Sequence, residues 1–142
     1  MKYIFNGATH SDASSEYLTS LGMNAEQIES INNQLAFELQ QNQEIAKKTR
    51  NDAINADLDV GGRVFQVGAK ARDNLNEAIN KCQRDQLPES ESRDWILADN
   101  KVASVTFADL KEVMNAYATR MDVIFQAYAL WRAGNKKELF SV

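Results

Sequence analysis

Along the C-terminal third of the chain, apolar residues recur at alternating spacings of three and four. Phe107, Leu110, Met114, Tyr117, Met121, Ile124, Tyr128 and Trp131 fall on this pattern. The period places all eight on one face of a helix. Thr106 caps its start, Asp109 three residues on completes an approximate capping box, and Val105 with Leu110 forms a hydrophobic staple. Gly134 is expected to end the helix in a left-handed conformation, with Arg132 in the last turn favouring the dipole. Val113, Ala118 and Phe125 widen the stripe beyond a strict coiled-coil seam. A helix of roughly 27 residues is about 40 Å long, the width of a small domain. The seam therefore reads as a core helix, as an oligomer contact along part of its length, or as both.

A second long helix is predicted from Asn24 to about Ala56. Asn24 caps it, Gln27 sits at the capping-box position, and Met23 with Ile28 makes a staple. Glu26, Glu29, Glu38 and Glu44 come early and Lys47, Lys48 and Arg50 late, as the macrodipole prefers. Its apolar pattern is weaker. Ile28, Ile31, Leu35 and Ile45 fit a heptad seam that Glu38, Asn42 and Thr49 interrupt, and the middle is rich in Asn and Gln. So polar a helix suits an exposed arm, a solvent-bridging helix or one strand of an intermolecular bundle.

Short elements fill the rest. Tyr3 to Phe5 reads as a strand stopped by Asn6-Gly7, and Ser14 to Leu21 as a helix stopped by Gly22. Leu58 and Val60 lead into Gly61-Gly62, and Arg63 to Val67 leads out. Two glycines suit a type I′ hairpin turn, with Leu58, Val60, Phe65 and Val67 expected on one face. A phosphate-binding reading of the glycines lacks any GxxxxGK[ST] or GxGxxG pattern. A helix follows from Ala69 to Arg84 with Ala71, Leu75, Ala78, Ile79 and Cys82 as its stripe. After a polar linker from Leu87 to Ser92, Trp95 to Ala98 and Val102 to Val105 suggest a hairpin about Asp99-Asn100. Its register decides whether Trp95 or Ile96 faces inward. The fold class is mostly α with small β-hairpins (α+β): long N-terminal helix, hairpin, helix, hairpin, long C-terminal helix. The expected divisions are residues 1–45 as a segment with a helical arm, 46–135 as the main domain and 136–142 as a tail.

Composition narrows the function. With 20 acidic and 16 basic residues the net charge is −4, which argues against nucleic acid or an anionic membrane as main partner. No apolar run approaches the ~20 residues of a membrane span, and the N-terminus turns polar at once. One histidine and one cysteine cannot supply a zinc site of the usual ligand types, and Cys82 on an apolar stripe reads as a small buried hydrophobe. His10-Ser11-Asp12 is adjacent in sequence, whereas triad members converge from separate elements. Asp122 lies beside the seam but off its positions and reads as solvated, while Arg120 and Arg132 are expected to pair with carboxylates on neighbouring elements. Lys47-Lys48-Thr49-Arg50 reads as a solvated helix end without interleaved aromatics. No catalytic, metal or cofactor residue is expected.

Several stretches carry a resemblance. They are Arg50 to Ala56 leading into a glycine hairpin with Phe65, Ala71-Arg72 with Leu75 to Ile79, and Trp95-Ile96-Leu97-Ala98-Asp99-Asn100. Phe107 to Leu110, Ala116 to Arg120 and Tyr128 to Arg132 complete the set. Over residues 46–135 the chain resembles a domain of unknown function common in bacteriophage and prophage proteins, often encoded near tail-fibre and baseplate components. The resemblance implies a non-enzymatic phage or prophage structural or assembly protein, associated with the tail or tail fibre and acting through protein–protein contacts. The alternative is a small regulatory or chaperone-like binding module outside the virion. The expected partner is protein, either a second copy in a homo-oligomer or a tail component, with no nucleic acid and no membrane. The expected location is the host cytoplasm at synthesis, with the virion as the later destination of a tail protein. Trp95, Phe107, Leu110, Met114, Tyr117, Met121, Ile124, Tyr128 and Trp131 are the candidate packing and interaction residues.

Overall fold

The computed structural model describes residues 1–142, with four helices and three separate two-stranded antiparallel hairpins. The fold is therefore mostly helical with small β-hairpins. Strands β1 (Tyr3–Phe5) and β2 (Ala8–His10) come first, then α1 (Ser15–Ser20) and α2 (Ala25–Asn55). Next are β3 (Leu58–Val60), β4 (Arg63–Phe65) and α3 (Ala69–Arg84). Strands β5 (Ser92–Ile96) and β6 (Val102–Thr106) precede α4 (Phe107–Ala133). The chain forms two compact units, residues 1–48 with 131–141, and residues 49–130 with Val142.

In the first unit, Tyr3, Leu18 and Met23 form a small core with Ile28 and Ile31 packed against it. The strand expected at Tyr3 has a partner that the sequence did not suggest. Asn6 (φ 50°) and Gly7 (φ 78°) make a two-residue turn with both φ positive, pairing β1 with β2. Asn24 and Gln27 cap α2 reciprocally, each backbone N–H donating to the other's side-chain oxygen at 3.0 and 2.9 Å. Two of the polar interruptions of α2, Glu38 and Asn42, turn out to be anchor points. The Met1 ammonium lies 3.7 Å from Glu38, and Asn42 donates to the carbonyls of Lys136 and Lys137 at 2.9 and 3.4 Å. The half-buried row runs Ile28, Ile31, Leu35, Leu39, Asn42, with Ala46 fully buried. Ile45, expected on that seam, is instead 46 % exposed. Counting in threes and fours from Asn42 reaches Ala46.

The core of the second unit gathers Ile54, Phe65, Val67, Leu75, Cys82, Val105 and the α4 residues Phe107, Leu110, Val113, Tyr117 and Ile124. Gly61 (φ 63°) and Gly62 (φ 80°) make the β3–β4 turn. Leu58 lies opposite Phe65 and Val60 opposite Arg63, so Arg63 joins the inward face and Val67 is buried beyond the strand. Trp95 pairs with Ala103 and Ile96 with Val102. Trp95 therefore faces inward and Ile96 is 63 % exposed. The strand begins at Ser92, earlier than expected. Leu97 and Ala98 belong to the loop, where Leu97 N–H donates to Lys101 O at 2.9 Å and Asn100 takes φ 64°.

The Thr106–Asp109 capping box of α4 is formed, with mutual bonds of 2.8 and 3.1 Å. Of the residues expected to widen its stripe only Val113 is buried, while Ala118 and Phe125 are exposed. Nor does Gly134 take positive φ. Its N–H donates to Trp131 O at 3.1 Å, and Lys136 is the left-handed residue instead. Arg120 also differs from expectation. It meets the carbonyls at the end of α2 rather than a carboxylate. A row of unpaired helix-end carbonyls accepts a guanidinium fork well.

Candidate protein-binding groove

The candidate residues divide by environment. Phe107, Leu110, Tyr117, Ile124 and Tyr128 are buried, and Met114, Met121 and Trp95 pack against the same core as partly buried neighbours. The Arg50 guanidinium lies 4.5 Å from the Tyr128 ring centre and Arg72 4.5 Å from that of Tyr117. Cations over both rings close this side of the seam. Trp131 belongs to the first unit, where its indole lies tilted against the Phe140 ring and donates to Glu138 O at 2.8 Å. Within the second unit the seam is thus core.

The surface left to the second unit holds an open groove of about 600 Å³. Helix α3 supplies one wall through Ala71, Asn74, Glu77, Ala78 and Lys81. Strand β5 supplies the other through Arg93, Asp94, Trp95 and Ile96, and Gln66 closes an end. Ala71 and Ala78 face it because they share the α3 stripe with Leu75 and Cys82, whose longer side chains fill the core behind. Cys82 is buried, its thiol directed at Leu87 O at 3.4 Å, so it is packing and not a groove residue.

Charge on the groove rim is organised in pairs. Glu77 bonds Arg84 at 2.6 Å, and Lys81 bonds Asp85 at 2.7 Å, which holds the Asp85 carboxyl below the usual carboxylate range. Arg93 differs. Its guanidinium sits 4.5 Å from the Phe107 ring centre, and its Nε is buried with no hydrogen-bond partner. An unmatched buried donor carries a desolvation cost that no group in the chain offsets.

A smaller recess of about 430 Å³ lies where Val64 and Arg63 meet Leu97, Ala98 and Asp99. Ala98 N–H donates to Val64 O at 3.0 Å and ties the two hairpins together. Arg63 also bonds Asp109 at 3.0 Å and Ser104 O at 2.9 Å.

In the first unit His10 stacks on Tyr3 with centroids 5.5 Å apart, and its Nδ1 lies 2.8 Å from the Tyr17 hydroxyl. Tyr17, not Ser11 or Asp12, is therefore its side-chain partner. The Asp12 carboxylate accepts the Ser14 N–H at 2.8 Å, which pulls its pKa down, while its carbonyl accepts the Tyr3 hydroxyl. No three or more His, Cys, Asp or Glu side chains gather in a metal-sized cluster, and no helix is long and apolar enough to cross a membrane.

Trp95 is the one groove residue among the candidate interaction residues, while Ala71, Ala78 and Ile96 were read only as apolar positions of their elements. Gln66, Asn74, Glu77, Lys81, Arg93 and Asp94 were missed because polar residues on a helix and a short strand look like ordinary solvated positions until the two elements are set side by side. Residues 38–135 match the family model described as a domain of unknown function (DUF4376). No curated protein and no solved structure matches the chain.

Proposed function

The chain belongs to the DUF4376 family, and from that premise we propose that it is a non-enzymatic binding protein acting through protein–protein contacts in phage tail or tail-fibre assembly. The observation that carries the reading is apolar surface outside a filled core. Ile96 and Val102 face each other across β5 and β6, each 63 % exposed, and Val123 and Leu130 repeat at seven residues on α4, 62 % and 77 % exposed. Paired and periodic apolar exposure of this kind marks contact surface more than scattered single residues do. The resemblance to phage and prophage proteins over residues 46–135 supports the tail as the setting, and the same surface supports self-association.

Two measurements test this. Immunodetection in purified phage particles, followed by cross-linking, is expected to find the chain beside tail-fibre subunits. Sedimentation at micromolar concentration is expected to show a species above the 16.0 kDa monomer. A chain absent from particles and always monomeric contradicts the proposal. Absence from particles with retained association favours the regulatory or chaperone-like alternative.

A further inference from the structure

The free edge of β5 is an unfilled strand-pairing position. The register with β6 fixes which backbone groups point where. Leu97 N–H donates to Lys101 O at 2.9 Å and Phe107 N–H to Glu91 O at 3.3 Å, so the pairs Leu97–Lys101 and Glu91–Phe107 are hydrogen-bonded ones. Between them the pattern alternates. Arg93 and Trp95 therefore bond inward to Val105 and Ala103, while Ser92, Asp94 and Ile96 turn their N–H and C=O groups away from β6. Asp94 and Ile96 have no backbone partner on that side.

Those outward groups open into the groove. Four consecutive residues, Arg93 to Ile96, line it. Successive strand side chains point to opposite faces, so a cavity touched by four in a row runs along the strand's edge and not over one face. The opposite edge, on β6, is already engaged. Arg63 donates to Ser104 O at 2.9 Å and Asp109 accepts from Thr106 N–H at 2.8 Å.

We propose that the slot between the β5 edge and α3 binds an extended peptide segment of a partner protein, which adds as a third strand beside β5. This deepens, and rests on, the protein-contact reading above. The outward groups of Asp94 and Ile96 supply main-chain hydrogen bonds, the source of affinity in strand addition. Ala71 and Ala78 on the helical wall let a backbone approach, and Trp95 offers an apolar surface to alternate side chains. Arg93 lines the slot, and its guanidinium offers charged N–H donors to a side-chain carboxylate or a carbonyl of the segment. A second copy presenting the same edge would bring its own α3 wall to the same place, so the occupant is a single strand of another chain.

The test uses the full chain and a displayed library of random hexapeptides in flexible flanks. Enriched peptides are synthesised and re-made with each amide replaced in turn by an ester, which removes one N–H donor while keeping the side chains. The expected result is a period-two profile, with alternate replacements weakening binding about tenfold and the intervening ones leaving it nearly unchanged. Asp94→Pro deletes an outward N–H that the β5–β6 ladder does not use, and is expected to weaken binding by a similar factor with the fold retained. Should that variant misfold, the ester profile on the unaltered protein still decides. Peptides that bind with a flat ester profile overturn strand pairing and leave the protein-contact reading standing. A library with no enriched sequence also overturns the proposal. A dimer whose Asp94 and Ile96 amides are protected without peptide overturns it too, and gives the edge to a second copy.

Discussion

The Arg120 guanidinium of α4 donates to the carbonyl of Ile54 at 2.7 Å, tying the middle of one long helix to the end of another. Two further bonds, to Ala56 O at 2.6 Å and Asp57 O at 3.3 Å, complete the cap. The last carbonyls of a helix lack intrahelical partners and carry the negative end of its dipole, so a cation there is favoured twice over. Arg120→Ala is expected to lower unfolding free energy by about 2 kcal/mol, the range for hydrogen bonds to a charged group. Arg120→Lys recovers only part of this, since a point charge cannot fork across three carbonyls. Urea denaturation of both variants checks the order.

Stability is expected to fall in acid through Asp109. Its carboxyl is held below the usual carboxylate range first by the Thr106 N–H and then by the Arg63 guanidinium. A depressed folded-state value contributes stability that is fully present above the unfolded value, about 3.9, and is lost as pH falls through the folded one. Asp12 and Asp85 are shifted the same way. Tyr3 is raised, chiefly by burial, so its contribution is present below the ordinary tyrosine value near 10 and lost above it. Asp109→Asn is expected to be less stable than the parent at pH 7 and to lose less between pH 5 and 3. Parallel midpoint curves for the two proteins would contradict this.

The double-glycine turn gives a clean backbone test. A Cβ added at Gly62 would meet no atom within 4 Å, yet its φ is +80°. Gly62→Ala is therefore expected to cost about 1 kcal/mol from conformation alone, without a steric clash. A D-alanine at the same position, introduced by chemical synthesis, is expected to restore the stability, and calorimetry on both reads the difference.

Tyr117 sits in the middle of the α4 seam, 7 % exposed, with Arg72 over its ring. Tyr117→Ala is expected to cost about 3 kcal/mol, as for large-to-small core changes. An unchanged urea midpoint would show that the seam is not core.

Most of the fold was legible because local rules decide it. The Thr106–Asp109 and Asn24–Gln27 boxes, the Gly61-Gly62 turn and the span of α3 each follow from a few neighbouring residues. What failed depends on distant partners. Ile45 lost its seam place to Ala46, and Arg120 found carbonyls that no spacing predicts. Strand β2 was missed because Ala8-Thr9-His10 carries no apolar alternation of its own and is held by pairing with Tyr3 to Phe5. Among the candidate interaction residues the groove was legible only at Trp95. The rest of its lining depends on α3 and β5 lying side by side, and the direction of the Asp94 and Ile96 amides on the β5–β6 register, which the sequence left open by one residue.

Native-state hydrogen exchange on the isolated full chain tests the account at its centre, since the proposed contact needs an unoccupied β5 edge. The amides of Arg93, Trp95 and Leu97 are expected to be protected and those of Asp94 and Ile96 to exchange rapidly. Equal protection across all five would mean that the edge is already filled, and would contradict the binding geometry.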